Sequence, residues 1–132
     1  MNIRKIKSEL EKYGCVFRES YSSKMGIDIY GDKTDDCIIH QIENYPYCIY
    51  EFKNEDGAEK WFKNWSEYYK DVSDSQIDID NKLKYKKCEQ NIINNGYYFV
   101  LIKKSNIIFW ATELWNEKQR LEIILKEINY FK

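Results

Sequence analysis

Two apolar runs near the C-terminal end of the chain flank a short polar tip. They cover residues 97–112, which read YYFVLIKKSNIIFWAT, and the tip extends from Lys103 to Asn106. Apolar runs around such a tip predict a β-hairpin. Odd and even positions are both apolar, whereas a strand pair with one wet face alternates apolar and polar residues. We therefore expect both faces of this hairpin to be covered, by a helix, a second copy of the chain or a partner.

An earlier part of the chain predicts a second hairpin. Residues 37–42 and 47–52 are rich in β-forming side chains, and the turn between them contains Pro46. Before them, residues 26–31 (GIDIYG) alternate apolar and polar positions, which predicts a short edge strand. The strands of this protein therefore occur in both halves of the chain.

Amphipathic stripes predict the helices. Residues 2–13 repeat apolar side chains at steps of three and four, and Gly14 follows as a left-handed cap. Residues 56–59 (DGAE) fit a capping box ahead of an aromatic stripe, and Asn116 begins a similar pattern before the last helix. A less regular helix is expected over residues 80–95.

The order of these elements predicts a single α+β domain over residues 1–132. We expect one antiparallel sheet of about four to five strands, built from the two hairpins and accompanied by about three to four helices. A faint similarity between the strand–helix segments of the two halves makes a ferredoxin-like arrangement one candidate for the strand order.

Residue pairing across the C-terminal hairpin assigns its side chains to two faces. Pairing Lys103 with Asn106 gathers Tyr97, Phe99 and Trp110 on one face and leaves the compact branched residues on the other. Because Tyr and Trp tolerate partial exposure, we expect the face with the large aromatic residues to be open and to bind a protein. In the alternative, the first helix and the segment after the second helix cover this face.

The charge balance does not favour a polyanionic partner. Lys+Arg 21 nearly equals Asp+Glu 22, which gives a formal net charge of -1 and a pI of about 5.9. No global field steers such a chain toward nucleic acid or anionic lipid. The charged N-terminal residues lack the apolar core of a signal peptide, and no apolar run is long enough to span a bilayer. We therefore expect a cytoplasmic protein without membrane contact.

The spacing of the cysteines and of the acidic residues does not favour a metal site or a redox site. The cysteines are scattered without a close pair at Cys15, Cys37, Cys48 and Cys88. Structural zinc sites use close cysteine pairs, and the acidic segments lack the ligand spacing of a calcium loop. A chain of this length folds without disulfides. We expect reduced thiols, no metal and no cofactor.

His40 is the only histidine and hence the main candidate for acid–base catalysis. A Cys–His nucleophile pair requires a cysteine within hydrogen-bond reach of the ring. Pairing Ile42 with Tyr47 places Cys48 on the face of the hairpin opposite to His40. We therefore expect a structural histidine, and a small enzyme with a Cys/His40 site is the second alternative function.

Two charged segments follow the second predicted helix. Residues 71–80 predict an acidic loop, a further candidate protein-binding surface, through Asp74, Asp78 and Asp80. Residues 82–87 (KLKYKK) interleave tyrosine with lysines, an arrangement that can neutralise phosphates and stack a base. The candidate nucleic-acid-binding residues are Lys82, Lys84, Tyr85, Lys86 and Lys87. Nearby acidic residues dilute this charge, so nucleic acid is the less favoured partner.

The sequence contains no phosphate-binding loop or nucleophile motif that would name a reaction. We therefore expect a small non-enzymatic module that binds another protein or a second copy of itself. Proteins of this type often act as inhibitors, as toxin-immunity and phage counter-defence proteins such as anti-CRISPRs do. The first alternative is a nucleic-acid-binding protein that uses the lysine-rich segment.

Overall fold

The computed structural model describes residues 3–18, 20–23, 36–72, 74–78, 82–87 and 97–128. The elements in chain order are α1 (Ile3–Glu11), β1 (Tyr21–Ser23), β2 (Cys37–Gln41), β3 (Tyr47–Phe52), α2 (Glu55–Val72), β4 (Asp74–Asp78), β5 (Lys82–Lys87), β6 (Tyr97–Lys104), β7 (Ile107–Leu114), a 3₁₀ turn (Trp115–Glu117) and α3 (Gln119–Glu127).

One antiparallel sheet organises the described residues. Its order is β1-β2-β3-β7-β6-β5-β4. The two predicted hairpins, β2–β3 and β6–β7, form its centre and meet through the β3–β7 pair. This confirms the predicted α+β class with an antiparallel sheet built from two hairpins. Strand β1 extends one side of this centre, and β5 and β4 extend the other.

The strand order is that of two meanders placed side by side. The first runs β1-β2-β3 into α2, and the second runs β4-β5-β6-β7 toward α3. Within each meander, strands that are consecutive in the chain are therefore neighbours in the sheet, as is common for short connections, whereas β3 and β4, which α2 connects, are not neighbours. The ferredoxin-like arrangement, in which the strands of the two halves interleave, is not confirmed.

Helices α1 and α3 cover one face of the sheet, which we call the α1/α3 face. Ile6 and Leu10 of α1 and Leu121 and Ile124 of α3 are buried there. The sheet residues beneath them are Ile42, which directly follows β2, and the strand residues Tyr47, Ile49, Val100, Ile102, Ile107, Phe109 and Ala111. The period of the apolar stripe in each helix matches this one-sided burial. Gly14, with φ of 90°, ends the first helical segment as predicted.

Helix α2 covers the opposite face, which we call the α2 face. Ala58, Trp61 and Phe62 are buried against strand residues of this face. The strand residues are Cys37, Ile39, Cys48, Tyr50, Phe52, Leu101, Ile108 and Trp110. The Trp61 ring centroid lies 4.7 Å from that of Tyr50. Both faces of the central sheet are therefore covered from within the chain.

The open aromatic face expected around Trp110 is contradicted by this packing. Trp110 is only 9% exposed and belongs to the core beneath α2. The expected cover was also wrong, because α2 lies on this face whereas α1 lies on the other. The aromatic side chains of α2 pack against the large side chains of the sheet. Because this packing excludes water from Trp110, no external partner is needed to cover it.

The two hairpins differ in how well their pairing follows the prediction. Ile42 N donates to Tyr47 O at 3.2 Å, as expected. In the C-terminal hairpin Lys104 pairs with Ile107, so the ladder is shifted by two residues from the expected Lys103–Asn106 pair. Because side chains alternate with a period of two, this even shift leaves the described side chains of the hairpin on their predicted faces.

Segment 71–87 contains strands where a loop and the start of a helix were expected. Residues 74–78 form β4 and residues 82–87 form β5, which pairs with β6. The alternation of Leu83 and Tyr85 with lysines has the period of a strand. Because lysine also favours helices, the same residues were compatible with the predicted helix. The expected edge strand at 26–31 and the remainder of the expected 80–95 helix lie outside the described residues.

The helix starts also differ from the predicted caps. Helix α2 begins at Glu55, and the cap is Asn54, whose Oδ1 accepts from Gly57 N at 3.0 Å. Residue Asn116 lies inside a 3₁₀ turn, and α3 begins at Gln119 without a side-chain cap. Across the described ranges, none of the helices combines the length and hydropathy needed to cross a membrane.

Candidate functional site

A cleft of about 400 Å³ opens at the end of the sheet where β3 runs toward α2. We call it the sheet-end cleft. Its lining residues are Ser22, Asp36, Cys37, Ile38, Glu51, Phe52, Lys53 and Asn106. The volume lies at the lower end of the range of ligand pockets, about 300–1,000 Å³. A smaller cleft at the start of α2 shares Asp36 and Lys53 with it.

Hydrogen bonds between neighbouring elements hold the rim of the sheet-end cleft. Phe52 N donates to Asn106 O at 2.8 Å, and Asn106 Nδ2 donates to Phe52 O at 2.8 Å. Lys53 N donates to Asp36 O at 3.2 Å. These backbone-anchored contacts fix the positions from which the Ile38 and Glu51 side chains enter the cleft. Ile38 and Glu51 are direct cross-strand partners on β2 and β3.

A chain of hydrogen bonds lies behind Glu51. Glu51 Oε1 is 2.9 Å from His40 Nε2, and His40 Nδ1 is 2.7 Å from Ser20 Oγ. Lys7 Nζ, from α1, lies 3.5 Å from the same Nδ1. His40 is 6% exposed, so the ring is held on both sides within the protein. The residues meet because strand pairing brings Glu51 diagonally next to His40.

The chemistry of the groups fixes the tautomer of His40. An ionised carboxylate only accepts hydrogen bonds, so Nε2–H donates to Glu51 and Nδ1 of the neutral ring accepts from the Ser20 hydroxyl. Burial lowers the pKa of His40, and the nearby Lys7 ammonium adds to this effect against the opposing influence of Glu51. The ring is therefore neutral at pH 7, and the Glu51–His40 pair keeps one negative charge.

Ser, His and Glu in one hydrogen-bonded chain are the residue types of a hydrolytic triad. In such a triad the serine and the histidine face the substrate. Here Glu51 lines the sheet-end cleft, whereas Ser20 and His40 are not among its lining residues. The arrangement therefore places the Glu51 carboxylate, which His40 holds in position, in the cleft. This geometry favours ligand binding by Glu51 over nucleophilic attack by Ser20.

The described cysteines give little support to a Cys/His40 site. Cys48 lies in the core beneath α2, on the sheet face opposite to His40, as predicted. Cys37 belongs to the same core. Cys15 is buried beside α1, and burial raises the pKa of its thiol to about 11. All three are thiols without a disulfide, and Cys88 lies outside the described residues.

Of the aromatic residues proposed as a binding surface, Trp110 lies on the covered α2 face of the sheet. Trp110 is buried, and its cross-strand partner is Leu101. In β6, Phe99 pairs with Thr112 and Tyr97 pairs with Leu114 through the backbone. The Tyr97 and Phe99 side chains lie outside the described part of the structure. Trp110 is not one of the described residues that line the sheet-end cleft.

The two charged segments form one antiparallel ribbon. Backbone register places Asp78 opposite Lys82 and Asp74 opposite Lys87. The other lysine-segment residues, Lys84, Tyr85 and Lys86, also lie in β5. The side chains of this ribbon, and Asp80 altogether, lie outside the described residues. Aspartate positions thus lie opposite lysine positions at both ends of one ribbon, where the sequence suggested two separate surfaces of opposite charge.

Sequence reasoning missed the sheet-end cleft as a site. The Ile42–Tyr47 pairing predicted from the sequence also places Ile38, His40 and Glu51 on one face of the first hairpin, so part of the signal was present. Ser20 and Lys7 carried no recognisable pattern, because their contact with His40 arises from tertiary packing. Within the ranges described, no group of three or more His, Cys, Asp or Glu residues is arranged to hold a metal ion.

Comparison of the chain with protein-family models, with curated proteins and with solved structures finds no match, so the geometry of the cleft is the basis for the functional proposal.

Proposed function

We propose that this protein is a small non-enzymatic module that binds another protein and inhibits it, and that the docking surface is the sheet-end cleft. One observation carries the proposal. Ile38 is 40% exposed in the cleft, directly across from Glu51, whereas the core residues of the central strands are buried beneath helices. Protein interfaces combine an apolar centre with a polar rim, and Ile38 among the polar residues of the cleft lining has this construction.

Two further features support a binding role over a catalytic one. The hydrogen-bonded chain turns its carboxylate toward the cleft and keeps Ser20 behind it. Hydrogen bonds through Asn106 and Lys53 fix the cleft rim before any partner arrives. A preformed rim lowers the ordering cost of association. The inhibitor assignment rests on the small size of the chain and on the lack of a reaction motif in its sequence.

Site-specific photo-cross-linking in the native cell tests this proposal. A benzoylphenylalanine residue replaces Ile38 in one variant and Ile123 in the control. Ile123 is 47% exposed on α3, so the two positions match in residue type and exposure. We expect one heterologous protein to be captured from position 38 and not from position 123.

The captured protein must also co-purify in stoichiometric amount with the unmodified chain, and its activity must fall when the chain is added. Equal capture from both positions would contradict a docking surface at the cleft. Capture of a second copy of this chain would contradict the inhibitor assignment. Turnover of a substrate by the purified chain would contradict the non-enzymatic assignment.

A further inference from the structure

Glu51 combines partial exposure with a fixed orientation. Its side chain is 25% exposed, and one carboxylate oxygen, Oε1, bonds His40 Nε2 at 2.9 Å. His40 is itself held by Ser20 at 2.7 Å and is almost fully buried. A carboxylate has several acceptor positions, and the described residues occupy one of them. His40 and Ser20 hold the Glu51 carboxylate in one orientation, so its remaining acceptor positions have a fixed direction. Residues that recognise a ligand are usually held in this way by neighbouring hydrogen bonds.

The charge around Glu51 favours a cation. Because His40 is neutral, the Glu51–His40 pair retains one negative charge. Asp36 adds a second carboxylate to the cleft lining, and Lys53 is the one cationic residue among the lining residues that the structure describes. The Lys7 ammonium, which faces His40 from α1, contacts Nδ1 and the ring of Phe17. The described lining residues, two carboxylates against one ammonium, therefore carry a small excess of negative charge.

The position of Ile38 indicates what kind of cation the cleft would bind. Ile38 is the direct cross-strand partner of Glu51, so an apolar side chain and a carboxylate lie side by side. Arginine and lysine have the complementary construction, an apolar stem that ends in a charged head. A stem packed on Ile38 would bring its head to the carboxylate of Glu51. A free inorganic cation would make no apolar contact with Ile38.

We infer that Glu51 is the recognition residue of the sheet-end cleft and that it takes a basic side chain of the partner protein, with the stem of that side chain on Ile38. The inference rests on the proposed function for the place where the partner docks. His40 and Ser20 act as positioning residues, because they fix the orientation of Glu51 without lining the cleft themselves.

Amide chemical shifts of the full ¹⁵N-labelled chain test this directly. The probe is Nα-acetyl-arginine methylamide, and the matched probe is its citrulline analogue, which has nearly the same shape but no charge. We expect saturable shifts with the arginine probe at the amides of Ile38, Glu51, Lys53 and Asn106. The citrulline probe should bind about tenfold more weakly or not at all, because it lacks the charge-assisted hydrogen bond.

Two variants complete the test. Glu51→Gln removes the charge but keeps an acceptor for His40, so the fold is retained and arginine binding should fall about tenfold. The control, Glu117→Gln, changes an exposed glutamate beyond the other end of β7 and should behave like the parent chain. Equal binding of the two probes, or arginine binding that survives Glu51→Gln, would overturn the inference.

The outcome separates the inference from the proposed function. Loss of arginine selectivity combined with cross-linking from position 38 would refute the role of Glu51 and leave the docking surface intact. Arginine-selective binding without any protein captured at position 38 would support the cation site and refute the proposed function.

Discussion

Trp110 on β7 lies directly across from Leu101 on β6, and both side chains are buried beneath α2. Trp110→Ala removes a large aromatic side chain from a packed core. We expect it to lower the free energy of unfolding by about 3–5 kcal/mol. Urea titration measures this change.

Val16→Ala is the control for this substitution, because Val16 is 50% exposed and its truncation should change stability by about 0.5 kcal/mol or less. A Trp110→Ala variant as stable as the parent chain would contradict the covered α2 face. That result would instead favour the prediction from the sequence, in which Trp110 lies on an open face and binds a protein.

Lys103 is a buried lysine that is paired with α2. It is 3% exposed, and its Nζ lies 3.0 Å from Glu59 Oε2 and 3.4 Å from Glu55 Oε1. Replacing both glutamates by Gln removes the two countercharges that the described residues supply to the ammonium. Because both carboxylates are more than half exposed, water screens part of this loss, and we expect roughly 1–2 kcal/mol of destabilisation.

The same double replacement in a Lys103→Met background isolates the electrostatic contribution. There the two Gln substitutions should cost almost nothing, since no buried charge remains to be compensated. Equal losses in the two backgrounds would show that Glu55 and Glu59 stabilise α2 independently of Lys103.

The buried His40 makes stability depend on pH. Burial lowers the pKa of His40 in the folded chain, so the unfolded chain binds a proton at a higher pH than the folded chain does. The stabilising contribution of the neutral ring is present above about pH 6.5, the ordinary pKa of histidine, and is lost as the pH falls below that value.

Urea unfolding at a series of pH values between about 7.5 and 5 measures this dependence. His40→Gln keeps a polar side chain at the site but removes the titrating ring, so its stability should decline less steeply over the same range. An identical slope in the two proteins would mean that His40 has the same proton affinity in the folded and unfolded chains.

The β4–β5 ribbon predicts weak affinity for nucleic acid. Its register sets Asp78 opposite Lys82 and Asp74 opposite Lys87, so lysines and carboxylates offset each other. On an immobilised nucleic-acid column at about 50 mM salt, we expect the chain to pass without retention. Asp74→Asn combined with Asp78→Asn removes the acidic positions and should increase retention. Retention of the parent chain that is abolished by Lys82→Ala and Lys84→Ala would instead support the nucleic-acid alternative.

Local patterns predicted the two hairpins well because side-chain alternation and turn residues are local signals. The Ile42–Tyr47 pairing follows from the turn at Pro46. The shift in the C-terminal hairpin has a tertiary cause. Asn106 exchanges hydrogen bonds with Phe52 of β3 while Ser105 adopts φ of 56° in the turn, and no pattern within residues 97–112 contains that information.

Helix placement was harder to predict than helix existence. The aromatic stripe of α2 is visible in the sequence, but the stripe does not specify which sheet face it covers. That choice depends on how the chain crosses from β3 to β4, and this made Trp110 look exposed. In the same way, the predicted hairpin faces placed His40 with Glu51, but Ser20 and Lys7 join them only through packing.

The proposed docking surface is tested most directly by the affinity of the purified partner for two matched variants, measured by calorimetry. Ile38→Asp places a charge in the sheet-end cleft, and Ile123→Asp places the same charge on the exposed side of α3. Thermal unfolding first establishes that both variants remain folded. We predict that Ile38→Asp weakens binding by about tenfold or more and that Ile123→Asp leaves it unchanged. Equal affinities of the two variants would contradict the cleft as the place where this protein meets its partner.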